Sequence, residues 1–125
     1  MAAQDNPVVW FEIPVTDLER AKAFYEHVLD LELRLREGDG IRMAWFPMSD
    51  DAYGAAGTLA EGRQYTPATT GTMIYLSTAD IDAAFERVVE KGGGVVLERM
   101  SIGEYGFIGL FRDSEGNCVG LHSMS

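Results

Sequence analysis

The sequence is poor in cysteine, histidine, basic residues and long apolar runs. A single cysteine, Cys118, cannot form an intrachain disulfide. The fold must therefore rest on packing, and the thiol count fits a reducing compartment, the cytoplasm. Only 10 Lys and Arg stand against 20 Asp and Glu, a net charge of −10. Nucleic-acid partners call for a basic footprint that this chain lacks, and an anionic membrane surface would repel it. No apolar run approaches the ~20 residues of a membrane helix. The opening Met1-Ala2-Ala3-Gln4-Asp5-Asn6 has neither the basic region nor the apolar stretch of a signal peptide. The two histidines, His27 and His122, sit in no Ser-His-Asp arrangement. What is present is 125 residues, 46% of them hydrophobic, enough for one domain with one core.

The chain repeats itself. Val9-Trp10-Phe11-Glu12-Ile13-Pro14-Val15-Thr16-Asp17-Leu18 lines up with Thr72-Met73-Ile74-Tyr75-Leu76-Ser77-Thr78-Ala79-Asp80-Ile81 at an offset of 63 residues, half the chain. Asp113-Ser114-Glu115-Gly116-Asn117 falls more weakly onto Asp50-Asp51-Ala52-Tyr53-Gly54 at the same offset. A repeat of this length sets architecture before any single motif does. It predicts two similar modules about a pseudo-two-fold axis, with a site in the space between them.

Each module reads as βαβββ. In the first, Val8–Val15 is a strand and Thr16 with Glu19 makes a capping box, with Asp17 as a second possible cap. A helix then runs over Leu18–Val28 with Leu18, Ala21, Phe24, Tyr25 and Val28 on one face. Leu31–Arg36 and Ile41–Phe46 form a hairpin around Glu37-Gly38-Asp39-Gly40, and Gly54–Ala60 is a strand of small residues. The second module has a strand over Thr72–Ser77 and a helix capped by Asp80 with Ile81, Ala84, Phe85, Val88 and Val89 as its apolar face. Strands follow over Val95–Arg99, Gly106–Arg112 and Cys118–Ser123. The expected organisation is one domain over 1–125: module one about 7–61, a linker about 62–71, and module two about 72–125. The fold class is α+β, with curved mixed sheets enclosing a cleft and helices outside.

Strand side chains alternate between faces. Phe11 and Ile13 suit the face that a helix covers, so Trp10 and Glu12 look the other way. The offset carries this to Met73 and Tyr75. In the last strand Val119 and Leu121 are the core pair, leaving Cys118, Gly120 and His122 on the inner side. Subtracting the offset adds Ala55, Gly57 and Leu59. Trp45 or its neighbour Phe46 joins from the adjacent strand. Such a wall, apolar and aromatic with a few polar groups, has the composition of a small-molecule pocket. Glu12 and His122 are its acid–base candidates.

The opening Phe11-Glu12-Ile13-Pro14-Val15-Thr16-Asp17-Leu18-Glu19-Arg20-Ala21-Lys22-Ala23-Phe24-Tyr25 and the closing Phe111-Arg112-Asp113-Ser114-Glu115-Gly116-Asn117 resemble the vicinal oxygen chelate superfamily, which holds glyoxalase, bleomycin-resistance proteins and extradiol dioxygenases. The resemblance implies a usually dimeric protein with metal ligands on the first and fourth strand of each module. Matched to this sequence, those positions are Trp10, Gly57, Met73 and Gly120, none a carboxylate or imidazole. Divalent ions of this kind want oxygen and nitrogen donors. The sequence thus looks most like the metal-free branch related to lactoylglutathione lyase, with no metal and no other cofactor. The expected function is binding of a small molecule by Trp10, Trp45, Gly57, Met73, Tyr75, Cys118 and Gly120 in a cytoplasmic homodimer. The alternative is a metal-free lyase or isomerase with Glu12 as base and His122 assisting. A metal-dependent glyoxalase or dioxygenase ranks last.

Overall fold

In the computed structural model, which describes residues 6–125, two helices and eight strands follow one another in the repeated order. The first half holds β1 (Trp10–Pro14), α1 (Leu18–Leu29), β2 (Arg34–Gly38), β3 (Ile41–Trp45) and β4 (Ala56–Glu61). The second holds β5 (Tyr75–Ser77), α2 (Ile81–Glu90), β6 (Gly94–Ser101), β7 (Phe107–Arg112) and β8 (Cys118–Ser123). Each half makes a four-stranded mixed sheet, ordered β1-β4-β3-β2 and β5-β8-β7-β6. The parallel pair is β1 with β4, and β5 with β8; the other neighbours are antiparallel. This is the α+β architecture of two βαβββ modules that the repeat predicts. The reading of Met1–Asp5 as part of a leaderless opening lies outside the described residues.

Each helix lays its apolar stripe on one face of its own sheet. Ile13, Ala44 and Leu59 form a buried row across the first sheet, and Leu76, Phe111, Val119 and Leu121 line the second. These faces do not belong to separate cores. All of them join α1 and α2 in a single buried cluster. Phe24 and Tyr25 of α1 lie 6.0 and 6.2 Å from the ring of Phe111 in the second module. Arg87 of α2 donates two hydrogen bonds to the Val28 carbonyl at the end of α1.

The turn Asp113–Asn117 locks the halves together. The buried Tyr25 hydroxyl donates to Asp113 at 2.7 Å, and burial with the adjacent Asp113 charge pushes the phenol pKa well up. Asn117 donates to the Pro14 carbonyl at 2.8 Å. Glu115, its side chain fully buried, accepts from the backbone N–H groups of Thr16 and Asp17 and pairs with Arg20 at 2.6 Å. Glu61 accepts from Leu18 N–H. Burial works against the Glu115 charge. The Arg20 guanidinium, the two N–H groups and the Ser114 hydroxyl outweigh it and hold the carboxyl down at about 2.

Several local expectations shift. The N-cap of α1 is Asp17, whose side chain accepts from Arg20 N–H. The Thr16–Glu19 capping box does not form, because Thr16 N–H goes to Glu115 and Glu19 to Arg42. Strand β2 starts at Arg34, since Leu31 and Leu33 donate backwards to the Glu26 carbonyl and carboxylate. Val89 is exposed rather than part of the α2 core stripe.

Candidate functional site

The face of each sheet opposite its helix is left open. On the first sheet, register places Glu12, Thr58, Trp45 and Arg34 in one row across the four strands. Trp10 with Ala56 forms the row on one side, and Pro14, Ala60, Met43 and Arg36 the row on the other. Trp10 is half-buried on this open face, and the first-strand facing read from the sequence holds. Trp45 shares that face, while Phe46 turns into the core. The two indoles meet edge to face with centroids 5.3 Å apart. The Trp45 N–H donates to the Met43 sulfur at 3.4 Å, and the Arg36 guanidinium sits 4.6 Å over the Trp45 ring.

Glu12 is exposed beside this pair. Its partner is Tyr65, whose hydroxyl donates to Glu12 Oε1 at 2.9 Å; that bond to a carboxylate raises the Tyr65 pKa. Tyr65 comes from the segment between modules. Sequence reasoning missed it by treating that stretch as a connection only. Arg34 and Arg36 were missed too, although their place beside Trp45 follows once the β2–β3 hairpin is paired.

Gly57 is the one predicted site residue whose facing inverts. Gly120 pairs with Tyr75, but the residue paired with Glu12 is Thr58, so the repeat spacing falls from 63 to 62 residues by the fourth strand. A one-residue slip exchanges the faces of a strand. The open face of β4 is therefore Ala56, Thr58 and Ala60. Leu59 is fully buried in the core, and a Cβ at Gly57 would stand 2.4 Å from the Phe11 carbonyl and 2.5 Å from its ring. Thr58 is also fully buried, its hydroxyl shared between the carbonyls of Ala44 and Leu59.

The remaining predicted residues gather on the second sheet. Tyr75, Gly120 and Leu110 form one row, and Ser77, His122, Ile108 and Met100 another. Cys118, half-buried, pairs with Arg112 at the strand end. Met73 precedes β5, half-buried. Gly120 lets the Tyr75 ring lie flat on the sheet, since a Cβ there would be 2.3 Å from that ring. His122 Nε2 lies 2.6 Å from the Tyr105 carbonyl. A carbonyl only accepts, so Nε2–H donates and Nδ1 is the lone-pair nitrogen of the neutral ring.

The covered faces share one core. Among the described residues no hydrogen bond or ring contact joins Glu12, Trp10 or Trp45 to Tyr75 or His122; Glu12 bonds to Tyr65 and His122 to the Tyr105 carbonyl. A hollow of about 530 Å³ lies elsewhere, lined by Leu29, Asp30, Asp80, Ala83 and Arg87 among others. It holds none of the predicted residues, and the Arg87 guanidinium in it is already bound to Val28. The positions that the resemblance assigns to metal ligands become Trp10, Thr58, Met73 and Gly120 with the corrected register. They do not fit a divalent ion. Indole N–H only donates, glycine offers no side chain, the Thr58 hydroxyl is engaged, and a thioether is soft. Among the described residues no three His, Cys, Asp or Glu side chains come together as a ligand set.

The chain is 27% identical over 110 residues to a glyoxylase-like domain-containing protein of Didymella fabae, covering 85% of this chain and 84% of that one. It is also 27% identical over 115 residues to the putative glyoxylase CFP32 of Mycobacterium tuberculosis, but spans only 43% of that protein's length. Among solved structures, a glyoxylase/bleomycin resistance protein/dioxygenase domain from Frankia superposes with a TM-score of 0.71 at 18% identity, covering 96% of this chain and 98% of that one. TnmS3, an antibiotic binding protein from Streptomyces, gives 0.66 at 25% identity, covering 99% and 100%. The model of the Glyoxalase/Bleomycin resistance protein/Dioxygenase superfamily matches residues 8–121, and the chain belongs to that superfamily.

Proposed function

We propose that this protein binds a small, partly aromatic molecule, without a metal, on the open faces of its sheets. The observation that carries the reading is the Trp10–Trp45 pair beside Glu12 and Tyr65, an aromatic apolar surface with a polar handle. Likeness to an antibiotic binding protein over the full length of both chains supports binding rather than turnover. The donor set at the four family ligand positions supports a metal-free site. In this reading the cleft closes between two copies in the cytoplasm, the first-sheet face of one opposite the second-sheet face of the other. Half-exposed apolar side chains such as Tyr75 and Met100 support that pairing.

Trp10→Ala tests the site. Fluorescence titration of purified protein with a panel of aromatic compounds should find ligands that quench tryptophan emission. The substitution should weaken the best of them by about tenfold or more, since stacking contributes roughly 0.5–1.5 kcal/mol beyond the area it buries. Unchanged affinity would remove Trp10 from the site. Glu12→Gln distinguishes an anchor from a base. Loss of binding marks an anchor, whereas intact binding with loss of turnover marks a lyase or isomerase.

A further inference from the structure

The first-sheet face is electrically lopsided. Glu12 stands at one edge of its row and Arg34 at the other, with Thr58 and Trp45 between. Three strand spacings separate their backbone positions, roughly 14 Å. Arg36 on the neighbouring row lies over the Trp45 ring and adds a second cation at the same edge. Neither arginine is paired with a carboxylate among the described residues; the third arginine of this hairpin, Arg42, faces the helix side and takes up Glu19, Glu37 and Glu61. At the opposite edge Tyr65 occupies Glu12 Oε1 and fixes the carboxylate, leaving Oε2 to accept from a ligand.

We infer that this face takes a flat aromatic molecule that is itself dipolar, its cationic or hydrogen-bond-donating end on Glu12 and its anionic end on Arg34 and Arg36. The inference rests on the proposed binding function and specifies the ligand class. The indole pair supplies the apolar floor, and guanidinium groups suit a carboxylate or phenolate because their planar fork matches it. A ligand charged at one end only leaves one edge of the row unanswered, and a doubly anionic one meets Glu12. Tyr65 acts here as a positioning residue, because it holds the carboxylate from the side.

The test uses 4′-(aminomethyl)biphenyl-4-carboxylic acid, an elongated biaryl probe, nearly planar at low cost, with an ammonium at one end and a carboxylate at the other. Its N-acetyl derivative and its methyl ester each lack one charge. Tryptophan-quenching titrations of the full chain should give the dipolar probe an affinity about tenfold above either derivative at low salt, narrowing as salt screens the end contacts. Arg34→Gln with Arg36→Gln should erase the advantage over the ester alone, and Glu12→Gln the advantage over the N-acetyl form alone. Tyr65→Phe should reduce the latter in part. Equal affinity for all three probes overturns the dipolar assignment and leaves aromatic binding standing. Binding of none overturns both.

Discussion

The helix-covered faces of the two sheets are built from Ile13, Ala44, Leu59, Leu76, Phe111, Val119 and Leu121, every one buried. The opposite faces carry Trp10, Glu12, Trp45, Tyr75 and His122, none fully buried. Both sets come from the same strands at alternating positions. The covered faces merge into one core, so a change there is felt by the whole chain. No such cluster joins the open faces among the described residues, so a change there is felt locally and by whatever binds. The division explains why large aromatic residues occur on both. In the core they fill volume; on the open side they offer surface.

The sharpest way to break this contrast is at Phe111, which touches both Phe24 and Tyr25 of the other module. Phe111→Ala should cost about 3–5 kcal/mol. Urea unfolding followed by far-UV circular dichroism and by tryptophan fluorescence should still give coincident transitions. The tryptophans lie only in the first module. Separated midpoints would mean that the halves hold independent cores.

The glycines compare the two faces directly. Gly57→Ala places a Cβ against the Phe11 backbone carbonyl, which cannot swing aside, and should cost about 3 kcal/mol. At Gly120 the obstacle is the half-exposed Tyr75 ring, which can turn into solvent. Gly120→Ala should therefore cost less than about 1 kcal/mol in chemical denaturation while altering ligand affinity. Equal destabilisation at the two sites would contradict the assignment of faces.

Glu115 probes the joint between modules. Glu115→Gln removes the charge that pairs with Arg20 and accepts from the Thr16 and Asp17 amides, and should cost about 2 kcal/mol at neutral pH. The folded carboxyl titrates at about 2, below its ordinary value near 4.5. Its contribution is thus present above about 4.5 and is lost as pH falls from there towards 2. The variant's stability should decline less steeply across that interval, and a slope identical to wild type would show that Glu115 is not the group responsible.

Much of this was readable beforehand where side chains carry a period. The stripe Leu18, Ala21, Phe24, Tyr25, Val28 gives α1, and the alternation in Phe11–Ile13 and Val119–Leu121 gives their facing. The stretch Gly54–Ala60 has no such signal. Its residues are small on both faces, so its register is decided by pairing with β1 and β3, and the repeat offset misplaces it by one. The capping box failed for a related reason. Thr16 and Glu19 have the right local spacing, but Glu115 and Arg42 compete for them from far along the chain. Tyr65 was illegible because only folding brings the inter-module segment over β1.

The clasp between Glu115, Asn117 and the segment Pro14–Arg20 also bears on the order of events during synthesis. The first helix leaves the ribosome well before the groups that bind the Thr16 and Asp17 amides and tie down the end of β1, which lie 98 to 103 residues further along the chain. Until they emerge, the Thr16 and Asp17 amides have no protein acceptor and the apolar stripe of α1 lacks Phe111. Nascent chains should therefore remain protease-sensitive at α1 until residue 117 has cleared the exit tunnel, and then become protected in a single step. Stalled chains of increasing length, digested briefly and resolved by size, would reveal that step or a gradual rise in its place.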